Sequence, residues 1–334
     1  CVLNAYSSVG FNDRIGDGQM VGIKTHFGEE GNKSYVPWER IRPMVDEIRG
    51  GGGKPFFMET SALYRGQRSN AVDHFATAES HGFGSAETGC PLIFVDGLKG
   101  NYQVEQEVGL KHFDTVGVAG DFPLVPMALI VSHATGHDLA GFGGAIKNLA
   151  MGLASRAGKL RQHEAGKPDI NGSDCIACGT CARLCPVDAI EVEEVAEIHQ
   201  ETCIGCGQCL AACPVGAVTF SWSESPRNFN EKMAEVAYGV TKGRDDSVGY
   251  VTFLCDITED CNCVGHEMDR ICPDLGVLAG ADPVAIDQAA VDLINEQGEG
   301  GLLDELWPES NYRAQMEHGE RIGLGSRDYE LVGL

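Results

Sequence analysis

Cys175-Ile-Ala-Cys178-Gly-Thr-Cys181-Ala-Arg-Leu-Cys185-Pro186 is a C-x2-C-x2-C-x3-C-P run. Cys203-Ile-Gly-Cys206-Gly-Gln-Cys209-Leu-Ala-Ala-Cys213-Pro214 repeats it 28 residues later. So regular an offset is an internal duplication. The spacing is that of thiolate ligands to [4Fe–4S] clusters, and where two runs occur the fourth cysteine of each serves the other cluster. Cys175, Cys178, Cys181 and Cys213 are thus expected to hold one cluster, and Cys203, Cys206, Cys209 and Cys185 the second. Two-residue gaps let three thiolates converge from one loop. Gly179, Gly205 and Gly207 let backbone N–H groups face sulfur, where hydrogen bonds tune reduction potential. Pro186 and Pro214 turn the chain away from the cluster. A pair of zinc knuckles is the competing reading, and the doubled C-P ending disfavours it.

These cysteines lie within 334 residues, a length that points to about two domains. Hydrophobic residues make up 43% and charged residues 22%, values of an ordinary globular protein, which excludes disorder as the main state. The longest apolar run, Leu124–Val131, is far shorter than the ~20 residues that span a bilayer. The 44 glycines show no collagen period. With 49 acidic against 25 basic residues the net charge is −24. Such a surface repels phosphate backbones, so nucleic acid is not an expected partner, whereas basic partners are.

Eight of the fourteen cysteines stand in ligand spacing, and no hydrophobic leader precedes them in the sequence. A reducing, oxygen-poor cytoplasm is therefore expected rather than a disulfide framework. The first residue is Cys1 rather than Met, as when an upstream stretch is missing or removed, or when a mature N-terminus is lipidated.

The rest of the chain alternates apolar runs with helical stretches. The runs are Met20–Lys24, Pro55–Met58, Leu92–Asp96, Ala128–Ser132 and Tyr250–Cys255. The helical stretches are Trp38–Arg49, Asn70–His81, Gly143–Leu153, Asn230–Gly239 and Val284–Glu296. This alternation predicts an α/β host domain with a mostly parallel sheet. The cysteine runs fall between the fourth and fifth strands. The expected organisation is a host in two parts, 1–168 and 223–334, with an inserted α+β unit at 169–222.

Ligands of open α/β sheets bind at the carboxyl ends of strands. Those ends carry Lys24, His26, Glu59, Arg68, Asp96, His133, His137, Asp256, Cys261 and Cys263, polar and ligand-type residues expected to share one crevice. Lys24, His26, His133, His137 and Lys147 are the candidate catalytic set, with a histidine as proton donor. Gly141, Gly143, Gly144, Lys147 and Asn148 form a glycine-rich turn opening a helix, which reads equally as a phosphate or cofactor cradle and as close helix packing. It matches neither a Walker A loop nor a complete dinucleotide fingerprint. Cys261 and Cys263 read by default as buried or free thiols, and as an alternative could hold a further metal or act as a redox pair. His163 reads as a loop residue, and Cys90 carries no pattern.

Residues 175–214 resemble a bacterial two-cluster ferredoxin. KTHFGEEGN (24–32), ALYRGQR (62–68), GFGGAIKN-LAMGLASRAGKL (141–160) with His163, CNC (261–263) and ADPVAIDQAAVDLIN (281–295) resemble the DUF362 family of iron–sulfur proteins. The resemblance implies a ferredoxin module inserted in an α/β domain, and supplies no reaction. The sequence departs from the pattern expected of that family at Thr135, where a Lys is expected, and at Asn262, where an Asp is expected.

Three functions follow. The first is an oxidoreductase passing electrons through two [4Fe–4S] clusters to a substrate or organic cofactor in the host crevice. The second is an electron-transfer or docking subunit. The third is a scaffold that delivers a metal or cluster, using His26, Cys261 and Cys263. The large polar-lined host favours the first. The expected partner is a redox protein: a ferredoxin, a flavodoxin or an oxidoreductase subunit.

Overall fold

The computed structural model describes residues 2–163, 167–220 and 224–333. Cys1 and the expected boundary at 222/223 lie outside them. The centre is a six-stranded sheet: β1 Met20–Lys24, β2 Lys54–Glu59, β3 Leu92–Phe94, β4 Met127–His133, β5 Val248–Leu254 and β6 Gly276–Gly280. Their spatial order is β6-β5-β4-β1-β2-β3. All neighbours are parallel except β5 and β6. The chain runs outward from β1 through β2 to β3, then returns to lay β4 on the other side of β1. That reversal opens a crevice above the carboxyl ends of β1 and β4.

Period-2 alternation sorts the strand residues between two cores. Phe56 and Met58 of β2, Ala128 and Ile130 of β4 and Tyr250 of β5 face one core. Phe57, Leu129, Val131, Val251 and Phe253 face the other. The second core is closed by the helix Trp38–Gly50, which buries Ile41, Met44, Val45 and Ile48 at helical spacing. The first is closed by the helices Ala145–Ala150, Pro226–Thr241, Pro283–Asn295 and Arg313–Ile322. Pro283 stands in the first turn of its helix, and Asp282 caps it by accepting from Val284 and Ala285 N–H.

The five expected strands and five helical stretches are all present, Met20–Lys24 with the expected ends and the others with shifted ones. Asn70–His81 becomes the helix Ala71–Ala78 and a wider turn at Glu79–Phe83. Four features were not expected. β6 is an antiparallel edge strand. Gln103–Glu107 pairs with Thr115–Ala119 as a hairpin. Gly141–Gly143, read as a turn, is a short strand paired with Thr135–His137. His163 ends the helix Arg156–His163 rather than lying in a loop.

The cysteine-rich stretch forms its own small pairs, Asp169–Ile170 with Val218–Thr219 and Ile190–Val192 with Ala196–Ile198. The 28-residue repeat recurs in the backbone. Ala177 and Gly205, Gly179 and Gly207, and Asp188 and Gly216 all have positive φ. Its core includes Cys181, Cys209 and Leu210, and takes in Leu63 and Leu160 from outside the stretch.

The helix Pro226–Thr241 is buried along most of its length, and two glutamates on it tie distant segments together. Glu231 meets Lys111, His112 Nε2 at 2.8 Å and Arg227 Nε at 3.1 Å. Glu235 accepts the N–H groups of His112 and Phe113 and contacts His318 Nε2 at 2.9 Å. Burial works to raise the Glu231 pKa, but Lys111 and His112 prevail and hold it at about 2. A depressed carboxylate stabilises the fold above its usual pKa, and that contribution is lost as pH falls toward about 2. Glu231→Gln is expected to cost on the order of 3 kcal/mol at neutral pH and to flatten the loss of stability between pH ~4.5 and about 2. Denaturant melts of both proteins across that window check it.

Candidate functional site

A cavity of about 480 Å³ lies at the carboxyl ends of β1, β2 and β4. Lys24, His26, His133, His137, Lys147 and Asn148 line it, as do Gly143, Gly144, Cys261 and Cys263. One pocket thus gathers residues drawn from strand ends, the glycine-rich turn and the C-x-C stretch. Gly141 is not among its walls. Its φ of +74° and the 2.0 Å separation between a Cβ there and Ser310 Oγ show a residue kept small by packing.

Lys24 is buried under the pocket floor. Its ammonium pairs with Glu59 Oε1 at 2.9 Å and donates to Asn148 Oδ1 at 2.9 Å. Burial lowers its pKa, with Glu59 opposing. Asn148 in turn donates to Val131 O and Ser132 Oγ, fixing its helix to β4. A Cβ at Gly152 would stand 2.4 Å from Lys24 Cε, so only glycine leaves the lysine its place.

The histidines are more committed than the sequence implied. His133 Nε2 lies 2.7 Å from Cys255 O and Nδ1 lies 3.0 Å from Asn262 Oδ1. With a carbonyl accepting at Nε2 the neutral ring leaves Nδ1 as an acceptor, so Asn262 must present its amide NH2 there. Both nitrogens are thus engaged within the protein, and a proton-donor role for His133 would require one of these contacts to open. His26 is similarly held. Gly28 N–H reaches Nδ1 at 3.0 Å, and the Arg68 guanidinium reaches Nε2 at 2.8 Å. Burial and then Arg68 push its pKa down. Cys263 Sγ lies 3.3 Å from the same Nε2. The adjacent Cys261 thiol, against burial and helped by His26 and Arg68, brings Cys263 well below the usual thiol range.

The glycine-rich turn was expected to cradle an anion, and it holds one from its own chain. Ala145 and Ile146 N–H, opening the helix Ala145–Ala150, donate to the two carboxylate oxygens of Asp287 at 2.7 and 2.8 Å. An external phosphate has no place at these two donors. Burial raises the Asp287 pKa to about 7 against the pull of both N–H groups. Gly144 is required here because a Cβ would stand 2.2 Å from Asp287 Oδ1.

The eight cysteines of the two runs fall into two hollows. Cys175, Cys178, Cys181 and Cys213 line one, and Cys185, Cys203, Cys206 and Cys209 line the other. Backbone N–H groups of Ala196, Ala189, Gly205 and Ala217 point at the sulfurs of Cys175, Cys185, Cys203 and Cys213 at 3.2–3.4 Å. Burial raises the Cys209 thiol to about 12.

A family model described as a domain of unknown function, DUF362, matches residues 21–292. The chain belongs to the DUF362 family. Among curated proteins none matches it. The solved structure of the lactate racemase apoprotein from Thermoanaerobacterium thermosaccharolyticum is similar at a TM-score of 0.47 and 12% identity, over 89% of this chain and 54% of that one. This chain thus spans about half the length of that structure.

The DUF362 match runs from Val21 in β1 to Asp292 in the helix Pro283–Asn295, so it takes in both flanks of the cysteine-rich stretch. Two wall residues of this DUF362 chain, Lys159 and His163, carried no role in the sequence reading. Lys159 donates to Thr60 Oγ1 and Ser61 O, and burial lowers its pKa to about 8. His163 stacks on Phe229 with ring centroids 4.7 Å apart, and burial takes its pKa to about 3. Asp287 gave no signal, since a lone Asp in a helical run reads as solvent-facing. Asp287→Ala leaves two buried N–H groups without an acceptor and is expected to cost on the order of 3 kcal/mol. Asp287→Asn keeps an acceptor oxygen and is expected to cost less. Thermal melts of the two variants rank them.

Proposed function

We propose that the chain is an iron–sulfur oxidoreductase whose two cysteine-lined hollows hold [4Fe–4S] clusters and feed electrons to a ligand in the 480 Å³ cavity. The donor chemistry fits such a group: four sulfurs border each hollow, and backbone N–H groups are aimed at four of them. When bound, the clusters supply one-electron transfer.

The observation that carries the reading is the joint between hollow and cavity. A Cβ at Gly207, between Cys206 and Cys209, would stand 3.1 Å from Arg156 Cγ and 3.5 Å from Leu63 Cδ1. Leu63 also lines the cavity and shares a core with Cys209. The Cys206–Cys209 hollow is therefore the one beside the cavity, with a single layer of side chains between. Arg156 is buried, donates to Ala62 O and Ser69 O, and places a positive charge beside Cys206 and Cys209.

The chain's own residues then have separable tasks. Lys24 and Asn148 set the floor of the cavity, and Lys147 brings an ammonium to its wall. Glu59 Oε2 and Ser61 Oγ are buried without a hydrogen-bond partner among the described residues, polar ends that a bound ligand's donors would satisfy. The acidic surface suits a basic redox partner that docks and exchanges electrons. In this reading residues 169–222 are a two-cluster unit inserted in the host. No helix among the described residues is long and apolar enough to cross a membrane.

Oxygen-free purification is expected to give brown protein with iron and sulfide each near eight per chain, a number set by two four-iron clusters (about eight). Cys206→Ser is expected to keep the Cys175 cluster but to stop electron delivery to the cavity, read as loss of turnover with an added reductant. Colourless, iron-free protein from the same preparation overturns the reading.

A further inference from the structure

The C-x-C stretch suggested a metal held by Cys261 and Cys263, but the structure groups the first of them differently. One ligand atom each from His137, Asp260 and Cys261 lies within 4.8 Å of the others, and all three residues line the cavity. We propose that His137, Asp260 and Cys261 form a mononuclear site for a divalent first-row transition ion on the cavity wall.

The backbone is built to bring these groups together. His137 sits on the hairpin Thr135–His137/Gly141–Gly143, while Asp260 and Cys261 sit on the loop after β5. Gly136 N–H donates to Thr258 O at 2.9 Å. A Cβ at Gly136 would stand 2.1 Å from Glu259 O, so only glycine lets the hairpin come this close. Thr258 Oγ1 donates to Asp260 O, and Cys261 N–H donates to Asp260 Oδ1, which fixes the carboxylate beside the thiol. Around His137, Asp138 Oδ1 lies 3.0 Å from Nδ1, and the Leu139 and Ala140 N–H groups donate to Nδ1 at 3.2 and 3.1 Å. The metal-free neutral ring therefore carries its proton on Nε2, and ion binding at Nε2 shifts that proton to Nδ1, facing Asp138. Nε2 is the ring atom left to reach an ion. A carboxylate behind a ligating histidine is the usual device for fixing its tautomer.

The donor set is one nitrogen, one oxygen and one sulfur. A hard ion such as Mg²⁺ or Ca²⁺ prefers oxygen alone, whereas Zn²⁺ or Fe²⁺ accepts this mixture. Three protein ligands on a cavity wall leave a position open toward the pocket, the pattern of a site that binds a substrate rather than a purely structural ion. Binding forms a metal–sulfur bond and releases the Cys261 proton to solvent. The Lys147 ammonium faces Cys261 and Asp260 and must move aside.

The inference uses the same cavity as the proposed function but none of the eight cysteines of the two runs. Anaerobically purified full-length protein is dialysed against Zn²⁺, and bound zinc, iron and sulfide are measured together. Wild type is expected to hold one zinc more per chain than Cys261→Ser, Asp260→Asn or His137→Ala, with iron and sulfide equal in all four. Cys261→Ser and Asp260→Asn are near-isosteric, and their unchanged iron content and melting temperature report an intact fold. Asp138→Asn is expected to weaken zinc binding by about 10–100-fold without removing a ligand. Equal zinc in wild type and all ligand variants overturns the site. Iron-free protein that still takes the variant-sensitive zinc overturns the cluster reading and leaves this one standing.

Discussion

Lys24 and Glu59 meet at 2.9 Å where β1 and β2 end, with side chains exposed by only 1% and 3%. Two opposite charges out of water are stable only with close geometry and further hydrogen bonds. Here Asn148 supplies one of them to the ammonium and the Thr60 N–H supplies one to the carboxylate. Gly152 gives the lysine room, and the Asn148 amide carries the arrangement to β4. The pair therefore joins three strands and a helix at the one place where the sheet reverses direction. Removing either partner would strand a charge under the cavity floor. The polarity of the pocket follows from this constraint, because an apolar floor could not keep either charge in place.

A second constraint acts on the cysteine-rich stretch. Its backbone repeats at 28 residues down to the positive φ of Gly179 and Gly207, yet the two halves do not meet the same surroundings. Gly207 lies against Arg156 and Leu63, whereas a Cβ at Gly179 would meet only the Arg183 side chain of its own half. A symmetric unit packed on an asymmetric host gains a near side and a far side. In the function proposed above, that difference would make the Cys175 hollow the outer station and the Cys206 hollow the inner one.

The sequence revealed most where one periodicity dominated. β1, β2, β4 and β5 are apolar runs buried on both faces, and Trp38–Gly50 and Pro283–Asn295 are helices with clear caps or apolar stripes. Their existence was readable, and apart from β1 their ends were not. β6 was missed because Gly276–Gly280 is short, half-buried and glycine-flanked, so neither alternation nor length marks it. The hairpin through Gly141–Gly143 was missed because glycines next to a helix give the same signal for a ligand cradle and for close packing. Asp287, 142 residues from Ala145, decides between them, and no local pattern could announce such a partner. Reading strand ends brought eight of the ten expected crevice residues to one pocket, while Asp96 and Asp256 lie outside its walls. It could not say that His26 and His133 have both nitrogens engaged, since that depends on Arg68, Cys255 and Asn262 arriving from other loops.

The division of charge bears on what each surface can recognise. Although the chain carries −24 overall, the cavity is lined by Lys24, Arg68, Lys147 and Lys159. These are not bare cations. Lys24 pairs with Glu59 and Arg68 with Glu29. Lys159 is bonded to Thr60 and Ser61, and Lys147 faces Cys261 and Asp260. A pocket of balanced pairs exerts little pull beyond a Debye length of about 8 Å. Long-range steering therefore belongs to the acidic exterior. Selection of a small ligand must come at contact, by fit and by exchange of hydrogen bonds within pairs that are already formed. An anion entering the pocket at Lys24, Arg68 or Lys147 would have to displace an internal carboxylate from its cation. A ligand that offers donors to Glu59 Oε2 and Ser61 Oγ displaces nothing.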